Sequence, residues 1–277
     1  MFKLTVSSVL VSFVALTLIF SSLASEKPVT AKEVALVAKS SDVSPLDTPS
    51  SRLASQLLAK FRVEYKRKDD FLKLKEEILN ASGNAVPVLI EVMKDSKYPD
   101  KNRWVATFLL GRIMGEKAAP FIAKFVEHPN WIMRMAALKT LLALRQAKYG
   151  SLYAKSLADE ALLVRFQALD NIKKLKLQKY APSVWAMLYD QQNYYQKPSG
   201  KSRRGHIVKE VITTIGDLQF VEARAPLLKM VQKEKYKDIF TEMDYSLEKI
   251  TGKISPKGSE QVKRAYWSRL ALSDKNL

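Results

Sequence analysis

The residues from Gln191 to Arg204 come nearest to a chemical signature. Tyr194 and Tyr195 adjoin each other, Lys197, Lys201, Arg203 and Arg204 follow, and no acid occurs anywhere in the stretch. Arg forms planar, two-pronged contacts with phosphate or carboxylate. Tyr adds flat contact area at a small cost in side-chain entropy. These six residues are therefore read as a candidate binding surface for an anionic group. The rival reading is a solvated linker between two helices.

Covalent chemistry finds less support. The chain has no Cys, which excludes thiolate nucleophiles, thiolate metal sites and disulfides. It has two His, His128 and His206, and neither sits in a His-Glu-x-x-His arrangement. Adjacent acids occur at Asp69-Asp70, Glu76-Glu77 and Asp159-Glu160, all in polar surroundings. Acid–base catalysis would ask for one buried carboxyl group. No nucleophile, base and orienting group can be assembled, so the expectation is a chain that is not an enzyme. It is expected to have no catalytic residue, no metal and no cofactor.

Positioning falls to helices. Met133, Ala136, Ala137, Thr140, Leu141 and Leu144 follow the spacing of one helix face, as do Val208, Val211, Ile212 and Ile215. The pattern also repeats, with a period of about 31 residues. Arg103, Arg134 and Arg165 recur at that interval in similar surroundings, Met133-Arg134…Ala137 against Val164-Arg165…Ala168. Pro87, Pro120, Pro182 and Pro226 each precede an apolar turn, where a missing N–H is harmless at a helix start. Pro120 and Pro182 stand two periods apart, whereas the step from Pro182 to Pro226 exceeds one period by about a dozen positions. The extra residues fall between 190 and 204, which makes the Tyr- and Arg-containing stretch an insertion in a repeat array. Two amphipathic helices per unit read as an all-α stack, because one pair alone cannot bury its apolar face.

Residues 129–190 resemble the short bacterial HEAT repeats of phycobilisome-lyase-like proteins. The resemblance rests on Met133-Arg134…Ala137…Leu141, on Val164-Arg165…Ala168…Ile172, and on Ile215-Gly216-Asp217 before Ala225-Pro226-Leu227-Leu228. The chain departs from the pattern where Val208 replaces the Arg, and where Ala147-Lys148-Tyr149 replaces a Gly-Asp turn. The resemblance implies a right-handed α-solenoid of about six antiparallel helix pairs. It also implies that the Arg of each repeat pairs with an acid near the repeat boundary. Asp159 and Glu160 are expected to do this for Arg165. The second helices would line a concave side, so Lys117, Lys124, Lys155, Arg224 and Lys229 are expected to form a basic concave face.

The charge supports an anionic partner. Against 46 Lys and Arg stand 28 Asp and Glu, a net charge of +18. Residues 1–24 carry a positive start at Lys3, an apolar run and a small-residue exit at Ser22-Leu23-Ala24. They read as a signal peptide or an uncleaved anchor; without them the charge is 45 − 28 = +17. Residues 25–49 read as a flexible linker, and 50–272 as the helical array with a loop insertion at 191–204. The function expected from these features is that of an interaction scaffold exported to a bacterial cell envelope. It would be periplasmic, secreted or anchored at its N-terminus, and would bind an acidic protein or an anionic envelope polymer. The alternative is nucleic-acid binding of the HEAT-like alkylpurine DNA glycosylase type, which the leader disfavours.

Overall fold

The computed structural model describes residues 49–65, 67–196 and 202–273, so the leader and nearly all of the linker lie outside the described residues. Backbone contacts divide the chain into two compact units at Ala118 and Ala119.

The first unit contains α1 (Pro49–Arg62), α2 (Lys68–Ala81), α3 (Val86–Lys94) and α4 (Asp100–Met114). Its core gathers Phe61, Phe71, Ile78, Leu89, Met93 and Trp104. Pro87 takes the first turn of α3, as the sequence suggests. Side chains at the start of α4 close the ends of other helices. Asn102 Nδ2 donates to the carbonyls of Phe61 at 2.7 Å and Val63 at 2.8 Å, and Arg103 donates to the Met93 carbonyl at 3.0 Å. The Phe61 and Met93 carbonyls lie in last turns, where a helix offers them no partner, so α4 stabilises its neighbours while starting itself.

The second unit contains α5 (Ala119–Ala123), α6 (Trp131–Ala143), α7 (Gly150–Ser156), α8 (Leu162–Lys174), α9 (Ala181–Ala186), α10 (His206–Asp217), α11 (Arg224–Met230), α12 (Phe240–Thr251) and α13 (Glu260–Ser273). The long first helices α6, α8, α10 and α12 pack each on the next. The short helices α7, α9 and α11 each pack against the long helix that follows. A long helix is thus covered from several directions. In α6, Met133 through Leu138, Thr140 and Leu141 are all buried, a wider band than a single apolar stripe.

Buried polar bonds tie neighbouring long helices together. Asn171 Nδ2 donates to the Leu138 carbonyl at 2.9 Å, and Ser246 Oγ to the Ile212 carbonyl at 2.6 Å. Gly216 permits the second contact. A Cβ placed there would lie 2.7 Å from Ser246 Cα, closer than real side chains come. The described residues are helical apart from turns and one antiparallel hairpin, β1 (Tyr194–Gln196) with β2 (Ser202–Arg204). The all-α reading therefore holds, with that small exception inside the insertion.

Candidate functional site

The repeat Arg residues govern the corners of the second unit. Arg134 opens α6 and bends back over its own entry loop, donating to the carbonyls of His128 and Pro129, each at 2.9 Å. Its other edge meets Asp159 through both carboxylate oxygens, at 2.7 and 2.8 Å, and Glu160 at 3.0 Å. The hydrogen-bonded Asp159 carboxylate raises the guanidinium above its ordinary pKa, against the opposing effect of burial. The expected partner of Arg165 is thereby corrected. Both acids turn their carboxylates to Arg134. Arg165 donates only to their carbonyls, Asp159 at 2.6 Å and Glu160 at 3.3 Å.

A second series runs through the same corners. His128, Asp159 and Asp190 stand one period apart, and each has a side chain that accepts the backbone N–H two positions ahead. His128 Nδ1 accepts from Asn130, Asp159 Oδ1 from Ala161 and Asp190 Oδ1 from Gln192. These bonds fold each loop into an Asx-like turn before the next long helix. Beside the first two corners lies an open cavity of about 340 Å³, lined by Glu127, Arg134, Leu152, Lys155 and Asp159 among others. Its charged groups are matched: Arg134 by Asp159, and Lys155 by Glu127 at 2.5 Å.

The third corner carries the insertion. Arg165 reaches forward to Gln192, bonding its carbonyl at 3.2 Å and its side-chain oxygen at 3.3 Å. Asn193 is buried and donates to the Met187 carbonyl at 2.9 Å, while Tyr194 donates its hydroxyl to the Leu188 carbonyl at 2.7 Å. The N–H of Gly205 returns to the Asn193 carbonyl. Between these fixed points, Tyr194 pairs with Arg204, Tyr195 with Arg203, and Gln196 with Ser202. The loop expected at 191–204 thus begins as a single 3-10 turn and continues as a hairpin. Of the six candidate binding residues, Tyr194 serves in part as an anchor. Tyr195, Arg203 and Arg204 lie on the paired strands, and Lys197 and Lys201 lie outside the described residues.

The five cations expected on a concave face do not all belong to one unit. Lys117 belongs to the first unit and the other four to the second. Lys124 and Lys229 are exposed, Arg224 is half-buried, and Lys155 is engaged by Glu127. Among the described residues, no group of three or more His, Asp or Glu could hold a metal ion. No helix among them is long and apolar enough to cross a membrane.

No protein-family model matches the chain. No curated protein matches it either. Among solved structures, it is similar to the complex of CpcE and CpcF of phycocyanin lyase from Nostoc sp. PCC7120. The TM-score is 0.40 and the identity 13%, over 85% of this chain and 98% of that one. The likeness is one of helical fold. It overturns one expectation. The neighbour is a lyase, so the reading of a chain that is not an enzyme is withdrawn. The lack of Cys and of a His-Glu-x-x-His arrangement removes only the side-chain chemistry that was sought.

Sequence reasoning missed the roles of Gln192 and Asp190. Asp190 stands one period after Asp159, so its turn-forming role was visible as a repeat signal. Gln192 works partly through its backbone carbonyl, which leaves no trace in residue type. A recurrent pair of basic turns, Arg145-x-x-Lys148-Tyr149 and Lys176-x-x-Lys179-Tyr180, was also present in the sequence but was not singled out.

Proposed function

We propose that this chain is an exported interaction scaffold of the bacterial cell envelope whose helical array presents the 194–204 hairpin to an acidic protein. One observation carries the reading. The insertion is fastened at its root by Arg165, Asn193, Tyr194 and the Gly205 N–H, as a projecting element would be and a slack linker would not. The acid-free composition of 191–204 supplies the sign of the partner. Export rests on the leader-like residues 1–24.

The test compares the native chain with a variant in which 194–204 is replaced by an Asn-Gly turn closing the Asn193–Gly205 contact. Each is used to capture proteins from an envelope extract, and the captured protein is purified and titrated against both by calorimetry. The native chain is expected to bind it and the variant to lose it, with both still unfolding in one cooperative thermal transition. Equal binding by both would remove the hairpin from the function. Recovery of the native chain only in the cytosolic fraction would remove the envelope.

A further inference from the structure

Two turns of the second unit share one backbone and one set of side chains. The first joins α6 to α7 and the second joins α8 to α9. In the first, the N–H of Gln146 returns to the Leu141 carbonyl at 3.0 Å, and Arg145 stands between with φ of 54°. In the second, Leu177 returns to Ile172 at 3.0 Å, with Lys176 at φ of 53°. This left-handed position favours glycine, and Gly252 adopts such a conformation at the end of α12 with φ of 69°. Here long cations fill it instead. Further along each turn, Lys148 lies over the ring of Tyr149 at 5.2 Å, and Lys179 over Tyr180 at 5.9 Å.

The two turns touch. A Cβ on Gly150 would stand 2.3 Å from Cε2 of Tyr180, so the second turn's ring rests on the start of α7. The result is one continuous ridge of four exposed cations, Arg145, Lys148, Lys176 and Lys179. Neighbouring long helices pack about 8–10 Å apart, which sets the interval between the turns. No acid occurs from 141 to 158 or from 171 to 189. Among the described residues, none of the four cations forms an ion pair with a carboxylate, whereas Lys155, Lys173, Lys174 and Lys209 nearby all do. The ridge stops at the next equivalent turn, where Gln219 takes the left-handed position and Glu222 follows.

We infer that this ridge is a binding site for a linear phosphate chain. Three of the four cations are ammonium groups, point charges that suit phosphate without fixing its orientation. One face of Tyr149 and one of Tyr180 are taken by their own lysines, which leaves bases less ring on which to stack. No exposed large hydrophobic side chain lies between 145 and 181, so a folded protein would find no apolar anchor there. What remains is charge repeated at a fixed interval, which matches a polymer of closely spaced anions. The inference is independent of the hairpin.

The test titrates the full chain with end-labelled inorganic polyphosphate and follows anisotropy across a salt series. The ridge variant carries Arg145→Gly, Lys148→Ser, Lys176→Gly and Lys179→Ser; glycine suits both positive-φ positions, so folding is kept. A matched variant with Lys233, Lys249, Lys253 and Lys257 changed to Ser removes the same charge from other exposed sites of the unit. The ridge variant is expected to bind at least about tenfold more weakly at moderate salt. Its slope of log affinity against log salt should be shallower, by about 0.7 for each phosphate no longer neutralised. The matched variant is expected to stay within about twofold of the native chain. Equal weakening of both variants would mean that net charge alone is at work and would overturn the inference, as would no change in either. Oligothymidylate distinguishes a phosphodiester from a phosphoanhydride chain, and ridge-dependent binding of either supports the site. Polyglutamate bound as tightly, and released by the same variant, would make the ridge a carboxylate surface and overturn the phosphate assignment.

Discussion

Arg134 grips Asp159 through both carboxylate oxygens, and neither side chain is more than about a tenth exposed, at 8% and 10%. The pair joins the first turn of α6 to the loop that precedes α8. Its value is conditional, since a buried pair gains little over apolar packing but is costly to break. Arg134→Ala is expected to lower stability by about 3–5 kcal/mol, because Asp159 and two loop carbonyls lose their donors. Arg134→Lys should recover only part of this, lacking the planar fork. Urea unfolding followed by tryptophan fluorescence checks both variants.

The corner at Arg134 also shows how far the residues alone could be read. The repeat register, the first-turn position of Pro182 and the place of the insertion all follow from residue types, because periodicity and proline geometry are local properties. The partner of Asp159 is not local. Arg165 follows it within two helical turns, whereas Arg134 lies most of a period behind, so spacing favours the wrong one. The backbone decides. An Arg at a helix start folds over its own entry loop, which leaves the Asp159 carboxylate facing the preceding corner. The hairpin was hidden for a similar reason. Its strands are three residues long and hold their register from an anchored root rather than from alternating apolar residues.

Close approach of α10 and α12 depends on Gly216. Gly216→Ala should cost about 1–3 kcal/mol as overpacking, because the atom it meets is backbone and cannot swing away. Ser246→Ala removes only the bond to Ile212 and should cost about 1 kcal/mol. The difference between the two midpoints in thermal unfolding measures how rigid the contact is.

Lys139, on α6, is largely buried near Asp170 and Lys174 of α8. Burial pushes its ammonium below the ordinary value of 10.5; Asp170 opposes the shift and Lys174 adds to it. The folded state therefore releases this proton before the unfolded state does. Stability should rise with pH between the lowered value and 10.5. Lys139→Met is expected to flatten that rise and to increase stability at neutral pH. Unfolding midpoints of both proteins across alkaline buffers test the sign.

Tyr153 acts in the opposite direction. Its hydroxyl donates to the Gln146 carbonyl at 2.7 Å in a fully buried position, and burial raises its pKa. The native state holds this proton where the unfolded state, near 10.0, has lost it, so stability should fall above that value. Tyr153→Phe should cost about 1 kcal/mol at neutral pH and should remove this alkaline loss. Subtracting the Lys139→Met and Tyr153→Phe profiles from that of the native chain separates the two opposing slopes.

Helix α13 follows a different logic from the helices before it. Its Trp267 is wholly buried and donates to Asp244 at 2.7 Å, Lys263 meets the other carboxylate oxygen at 2.5 Å, and Arg264 covers the ring of Phe240. Among the described residues, the charge of Asp244 is met only from this one helix. A further helix pair stacked in its place would bury that carboxylate unanswered. The Asp244 corner is therefore a stopper, one that discourages another long helix from taking the place of α13.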